Sequence, residues 1–292
     1  MQTPQNIVFQ GEPGANSHIA VREVFGSANA VPMPTFEDCF AAVEQRTAHY
    51  AMIPIENSVA GRVADIHALL PSAKVSFVGE HFLPVHHQLM ALPGVAVEDL
   101  RTVHSHVQAL GQCRRNLRSM GLSPVVAADT AGAAREVAAA ADRTRGAIAS
   151  RLAAEIYGLE VLANDIEDES HNTTRFVIVA AEPEAVSPAV RTMTSLLFRV
   201  RNVPASLYKA MGGFATNGVN MVKLESYQLG GRFYATMFYA DIEGHPEHEN
   251  VARALEELRF HSAELRILGT YKAAPGREQL RELDEPSSMA AP

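Results

Sequence analysis

Asn172-Thr173-Thr174-Arg175-Phe176 sets a hydroxyl beside a guanidinium where an acidic segment becomes an apolar strand. Upstream, Asn164 to His171 carries too little apolar content to be core and reads as a mobile acidic loop, whereas Phe176-Val177-Ile178-Val179-Ala180 is a buried-strand run. A reactive pair at the mouth of a strand places the chemistry at Thr174. On its own the pair is better explained by a β-forming threonine followed by a solvated charge, so the weight falls on the polar residues elsewhere in the chain.

Four apolar runs end in small polar residues, the position at which open α/β folds bind ligands. They are Gly11 to Ser17, Pro54-Ile55-Glu56-Asn57-Ser58, Ser105-His106-Val107-Gln108 and Asp129-Thr130-Ala131. Ser105 and Thr130 stand just before helical patterns, where a hydroxyl can cap an orphan amide, worth about 1 kcal/mol to the helix. The alternative is that free amides at these helix starts, with the hydroxyls, hold carboxylates, because a helix N-terminus favours an anion by roughly 0.3–2 kcal/mol. Two such places suit a dicarboxylate. His106 opens its helix and could donate to a ligand oxygen or be a solvated surface residue.

Metal and nucleotide chemistry are not expected. His104 and His106 on one strand would face the same side and His86 adjoins His87, but no third ligand stands at a metal spacing. Gly11-Glu12-Pro13-Gly14 lacks the third glycine of a dinucleotide fingerprint and the Gly-Lys-Ser/Thr ending of a P-loop, so no cofactor is indicated. The net charge of -8, from 25 basic and 33 acidic side chains, disfavours a nucleic-acid partner, and Arg114, Arg115 and Arg118 on one helix face read as solvated surface. Cys39 and Cys113 are too few for a disulfide framework and match no zinc spacing, which fits a reducing compartment. Met1 to Asn6 has no basic region leading into an apolar core, and no window is apolar enough to span a bilayer. The chain reads as cytoplasmic, without a membrane partner.

The elements that must position these residues alternate. Ile7-Val8-Phe9 reads as a strand before a helix with Val21, Val24 and Phe25 at helical spacing. Further strands are expected at 50–53, 75–78, 87–90, 125–127, 146–149 and 175–179, most of them separated by helices, which argues for mainly parallel sheets. The 292 residues suggest two domains. Ala181 to Pro188, with two prolines and no periodicity, reads as a linker. Beyond it come a strand from Ser195 to Val200, a helix with Leu207, Ala210, Met211 and Phe214 on one face, and two strands joined at Gly230-Gly231. A helix with Val251, Ala254, Leu255 and Leu258 at i, i+3, i+4, i+7 and a strand from Ala263 to Leu268 close a βαββαβ, ferredoxin-like α+β unit. The tail from Ala273 to Pro292 is expected to be disordered.

Taken in order, Pro54 to Ser58, Ser105-His106-Val107-Gln108-Ala109, Asp129-Thr130-Ala131-Gly132-Ala133-Ala134 and Thr174-Arg175-Phe176 resemble the prephenate dehydratase family. The resemblance covers roughly residues 5 to 272. It implies a catalytic domain at 5–181 with a two-lobed α/β fold like type II periplasmic binding proteins: lobe 1 at about 5–80 and 165–181, lobe 2 at about 81–164. A linker at 182–193 and an ACT regulatory domain at 194–272 would follow. The implied reaction converts prephenate to phenylpyruvate with loss of carbon dioxide and water. Thr174 maps to the family's essential threonine and would hydrogen-bond the departing hydroxyl, being too weak an acid for ordinary general-acid catalysis. Glu56 or His106 could be the ultimate proton source, unless Glu56 only orients Asn57 and Ser58. Ala15, Asn16, Asn57, Ser58, Ser105, Gln108, Thr130, Arg175 and Phe176 would surround the substrate, with Arg175 or helix amides on the pyruvyl carboxylate.

In the C-terminal unit the resemblance places L-phenylalanine against Asn202, Pro204, Ala205, Ser206, Leu207, Glu225 and Ser226. Two departures touch that pocket. Asn202-Val203-Pro204-Ala205-Ser206-Leu207 stands where the family usually shows Gly-Ala-Leu, and Glu225-Ser226-Tyr227-Gln228 where it usually shows Glu-Ser-Arg-Pro. The methyl of Ala205 would narrow a ligand's approach to the backbone. Val107 in place of a usual proline, and Ala15-Asn16 in place of a Thr/Ser-Phe/Tyr pair, leave substrate choice open between prephenate and arogenate. A dimer or tetramer through the ACT units is implied. A non-catalytic amino-acid sensor is the competing class, since clefts and ACT domains also occur in proteins without activity.

Overall fold

A computed structural model describes residues 5–169, 171–228 and 236–278. In chain order it begins with β1 (Asn6–Gln10), α1 (Asn16–Phe25), β2 (Asn29–Met33), α2 (Phe36–Glu44), β3 (Tyr50–Asn57) and β4 (Gly61–Arg62). α3 (Ala64–Leu69) and β5 (Ser76–Pro84) follow. A second series runs β6 (Gln88–Ala91), β7 (Thr102–Ser105), α4 (Val107–Gln112), α5 (Arg114–Ser119), β8 (Ser123–Val126), α6 (Thr130–Ala140), β9 (Arg145–Ala149), α7 (Arg151–Tyr157) and β10 (Glu160–Ala163). After β11 (Thr173–Ala180), residues 181–191 carry no helix or strand. The chain then forms β12 (Thr192–Val200), α8 (Ser206–Thr216), β13 (Met221–Gln228), β14 (Thr236–Glu243), α9 (Glu249–His261) and β15 (Ser262–Lys272).

Two compact units result, Met1–Val63 with Leu83–Phe176 and Ala64–Phe82 with Val177–Pro292. In the first, β1 pairs in parallel with β2 and β3. Ile7, Val8 and Phe9 are buried because a strand with parallel partners on both sides is covered on both faces. The opening of β11 lies beside β3, with Ser58 N donating to Thr173 O at 2.8 Å. The second sheet has the order β10-β6-β9-β7-β8. β7 is parallel to β8 and β9, whereas β6 runs antiparallel to β9 and β10. In this sheet the expected parallel character therefore holds away from β6, and in the first sheet β4 departs from it by running antiparallel to β3. β2, β7 and β10 escape the apolar-run criterion: β2 contains Pro32 and is half-exposed, β7 alternates buried and half-buried residues, and β10 is exposed or half-buried throughout.

The second unit contains a four-stranded antiparallel sheet of order β13-β14-β12-β15 in a βαββαβ chain, the ferredoxin-like arrangement. α8 and α9 cover one face, packing Ala210, Phe214, Val251, Ala254, Leu255 and Leu258 on Leu196, Phe198, Phe238, Ala240 and Ile242. Residues 64–82 meet other strands of the same unit: the His67 ring lies tilted against Tyr227 and edge-on to Tyr239, and Arg266 donates to Leu70 O at 3.2 Å and Val75 O at 3.0 Å. Gly269 faces the Phe77 carbonyl with no room for a Cβ. The start of the tail is ordered rather than disordered, because Arg277 donates to Glu80 at 2.6 and 2.8 Å and Ala273 N to Arg191 O at 3.0 Å. The Gly230-Gly231 turn and the tail beyond Glu278 lie outside the described residues.

Candidate active site

Asn57 ends β3 and faces Thr174 on β11. Its Oδ1 accepts from Val59 N at 3.0 Å and Ala60 N at 2.8 Å, so the amide nitrogen must point the other way. Nδ2 meets Asn172 Oδ1 at 2.8 Å, Thr174 Oγ1 at 2.9 Å and Thr173 O at 3.3 Å. Thr174 Oγ1 thus receives a hydrogen from Asn57 and keeps its own for another acceptor. Ser58 fastens the same two strands, donating to His171 O at 2.6 Å and accepting from Thr173 N at 2.8 Å.

Thr174 and Arg175 do not act side by side. Successive strand residues point to opposite faces, and Arg175 is buried, its Nη1 2.9 Å from Glu56 Oε1. The same alternation on β3 puts Asn57 with Thr174 and Glu56 with Arg175. This corrects two expectations: Arg175 is turned away from Thr174 as a carboxylate anchor, and Glu56 is committed to a guanidinium rather than poised as an acid. Phe176, 1 % exposed, is core.

The helix starts are also used differently from their sequence reading. Ser105 closes β7 fully buried and donates to Ile148 O at 2.6 Å, neither capping nor facing ligand. The cap of α4 is His106, whose Nδ1 accepts from Gln108 N at 3.3 Å, so His104 and His106 do not share a strand. At α6 the cap is Asp129, accepting from Gly132 N at 2.6 Å, and Thr130 is the first helical residue, half-buried. One amide at each of these helix starts, Gln108 N and Gly132 N, therefore already has a side-chain acceptor. Ala15 and Asn16 are half-buried at the start of α1. The preceding Gly14 has φ +92, and a Cβ there would come 2.7 Å from Ala153 Cα. Ser150 donates to Gly14 O at 2.5 Å and Tyr157 to Pro13 O at 2.9 Å, so this loop binds α7.

A cavity of about 490 Å³ within this unit is lined by Val59, Ala60, Asn172, Gln108, Gln112 and Arg115, among others. Gln112, missed in the sequence, stands one helical turn after Gln108 on the same face, a spacing that could have exposed it. Its Oε1 accepts from Asn172 Nδ2 at 3.0 Å and lies 2.7 Å from His87 Nε2. Burial lowers the pKa of His87, against the opposing pulls of Gln112 and Glu167.

The acidic segment closing the cavity is pinned, not loose. Asp168 accepts from Arg115 N at 2.8 Å and Asn116 N at 3.2 Å, and Asn116 Nδ2 donates to Ile166 O at 2.9 Å. Arg115 is a solvated surface charge as expected, 70 % exposed by side chain, and from there it reaches Glu169 Oε1 at 3.0 Å. Ser170 lies outside the described residues. His86 Nδ1 lies 3.0 Å from Glu167 Oε1 and 3.4 Å from Asp165 Oδ1. With ligand atoms within 4.8 Å of one another, these three form the group among the described residues that could hold a metal.

In the second unit a cavity of about 300 Å³ is lined by Asn202, Ala205, Ser206, Leu207, Tyr208 and Phe238, among others. Pro204, Glu225 and Ser226 are not in its wall, and Glu225 binds Lys223 at 2.9 Å. Ala205 caps α8 with φ +60, in the left-handed region.

The Prephenate dehydratase family matches residues 7–184. A bifunctional N-acyl-homoserine lactone acylase/prephenate dehydratase of Komagataeibacter europaeus is 50% identical, covering 94% of this chain and 98% of the relative. Arogenate dehydratase 2 of Petunia hybrida is 37% identical over 92% of this chain and 72% of its own. The crystal structure of an Arthrobacter aurescens prephenate dehydratase in complex with L-Phe superposes with a TM-score of 0.85 at 29% identity, covering 92% of this chain and 90% of that one. An α/β catalytic fold with these relatives defines a lyase. The chain belongs to the prephenate dehydratase family.

Proposed function

We propose that this protein converts prephenate to phenylpyruvate in phenylalanine biosynthesis. The ring carboxylate leaves as carbon dioxide, its bonding electrons aromatise the ring, and the ring hydroxyl departs with a proton as water. The polarity of the Asn57–Thr174 contact carries this reading: with Oγ1 already accepting from Asn57, the Thr174 hydroxyl hydrogen is left for the departing oxygen. A donor aimed at charge that develops in the transition state stabilises it in a poorly hydrated site. Gln108, Gln112 and Arg115, which line the adjoining cavity, would orient the carboxylates in place of Arg175. No cofactor is invoked.

The catalytic part would occupy 5–181 and the ACT unit 194–272. L-Phenylalanine would bind in the cavity at Asn202, Ala205, Ser206 and Leu207 and shift the population toward a cleft state of weak substrate affinity. Pairing through the ACT units would give a dimer or tetramer in the cytoplasm. The described helices include none long and apolar enough to cross a membrane.

Two relatives favour additional arms in the test. Petunia hybrida arogenate dehydratase 2 supports arogenate as an alternative substrate, and the Komagataeibacter europaeus relative supports acyl-homoserine lactone cleavage as a second activity. Purified protein would be assayed on prephenate, arogenate and an acyl-homoserine lactone, with and without phenylalanine, and its mass measured in solution. Prephenate turnover suppressed by phenylalanine is expected. Folded protein that turns over neither prephenate nor arogenate would leave a binding protein or an acylase.

A further inference from the structure

The hydrogen bonds around Thr174 continue into a file of amides whose direction is set by the backbone. Val59 N and Ala60 N fix the Asn57 oxygen, so its nitrogen faces Thr174 and Asn172. Asn172 receives on Oδ1 and must therefore present nitrogen to Gln112, which it meets at 3.0 Å. Gln112 accepts on Oε1, and the same oxygen lies 2.7 Å from His87 Nε2. An acceptor on that side requires hydrogen on Nε2, whatever the ring's charge. The Gln112 amide nitrogen is thereby turned away from both donors. His87 is 4 % exposed and has no route of its own to a ligand.

We propose that His87 is a positioning residue for the dehydration: its Nε2 hydrogen holds Gln112 with oxygen inward, which orients the Gln112 amide donors toward substrate and steadies the Asn172–Asn57–Thr174 file. The proposal rests on the dehydratase reading above. Without the His87 hydrogen bond, one donor instead of two resists a half-turn of the Gln112 amide. That half-turn would oppose nitrogen to nitrogen at Asn172 and present an oxygen to an anionic substrate. Gln112 lies on α4 and Asn172 precedes β11, so the lock also ties the second sheet to the strand that carries Thr174. Its neighbours fit a fixed ring: Glu167 Oε2 accepts from His87 N at 2.9 Å, and His86 binds the other Glu167 oxygen at 3.0 Å.

The test is a set of four enzymes: wild type, His87→Leu, Gln112→Met and the double variant, with His87→Gln as a rescue that retains a donor. In His87→Leu, kcat/KM for prephenate should fall about tenfold, the worth of roughly one hydrogen bond. His87→Gln should recover most of it. In the Gln112→Met background, His87→Leu should cost nothing more, because its effect passes through the Gln112 oxygen. Equal losses in both backgrounds, or no rescue by glutamine, would overturn the proposal and leave His87 a packing residue. Should His87→Leu fail to fold, ¹⁵N resonances of the wild-type ring decide, since hydrogen on Nδ1 alone contradicts the lock. A wild type inactive on prephenate and arogenate would remove the dehydratase reading and this proposal together, whereas an active wild type with additive losses would remove this proposal alone.

Discussion

Asn57 donates to Thr174 Oγ1 across 2.9 Å, and the direction of that bond is set by two backbone amides that occupy the other end of the same side chain. Thr174→Val keeps the shape and removes the donor. It should lower kcat and kcat/KM together by about 10²–10³-fold, the loss typical of one preorganised donor, with little change in melting temperature. Thr174→Ser should retain measurable activity. A fully active valine variant, read by phenylpyruvate formation, would exclude the role given to the hydroxyl.

On the opposite face, Arg175 is 2 % exposed and Glu56 25 % exposed by side chain. Removing one partner of such a pair leaves a poorly solvated charge and typically costs about 3–5 kcal/mol when both are buried. Because Glu56 is partly wet, Arg175→Met should destabilise by about 3 kcal/mol, visible as a lower urea midpoint. KM of the surviving folded enzyme should change little. A large rise in KM with unchanged stability would return Arg175 to the role of carboxylate anchor.

His87, His18 and His104 are each held below the ordinary imidazole range, in every case chiefly by burial. His18 Nδ1 also accepts from Gly14 N at 3.1 Å, a bond that protonation would break. The folded chain thus binds fewer protons than the unfolded one over this range. Its stability is whole above the unfolded value of about 6.5 and declines as pH falls below it toward the depressed folded values. Urea midpoints should drop from pH 7.5 to 5.5, and less steeply in His87→Gln. Equal midpoints at the two pH values would contradict this.

Ala205 holds φ +60, where a Cβ crowds the following carbonyl. Ala205→Gly relieves that crowding but frees the unfolded chain, for a net gain of about 0.5–1 kcal/mol. Calorimetric titration with phenylalanine should show binding to the glycine variant at least as tight as to wild type. Weaker binding would mean that the methyl forms part of the ligand's contact surface.

Much of the scaffold is legible from spacing alone. Val251, Ala254, Leu255 and Leu258 fix the buried face of α9, and Ile7-Val8-Phe9 fixes a central strand. What spacing cannot carry is partnership over distance. Asp168 meets the amides of α5 from a loop 53 residues away, and His86 meets Glu167 across 81 residues. Thr174 and Arg175 mislead in the other direction: adjacency in sequence suggests a shared target, while the two-residue period of a strand sends them to opposite faces. Ser105 and Thr130 each stand one residue from the actual caps, His106 and Asp129, an offset within the uncertainty of any helix boundary.

Residues 64–82 precede the four-stranded antiparallel sheet in sequence, yet His67, Leu70, Val75, Phe77 and Glu80 all engage groups from beyond residue 225. The βαββαβ segment is consequently not a transferable cassette. Grafted alone onto another protein, it would arrive with Arg266 stripped of two carbonyl acceptors and Gly269 facing solvent instead of Phe77. A peptide nick between Glu182 and Ser187 would sever the chain without separating the pieces, because residues 64–82 would hold the C-terminal fragment in place.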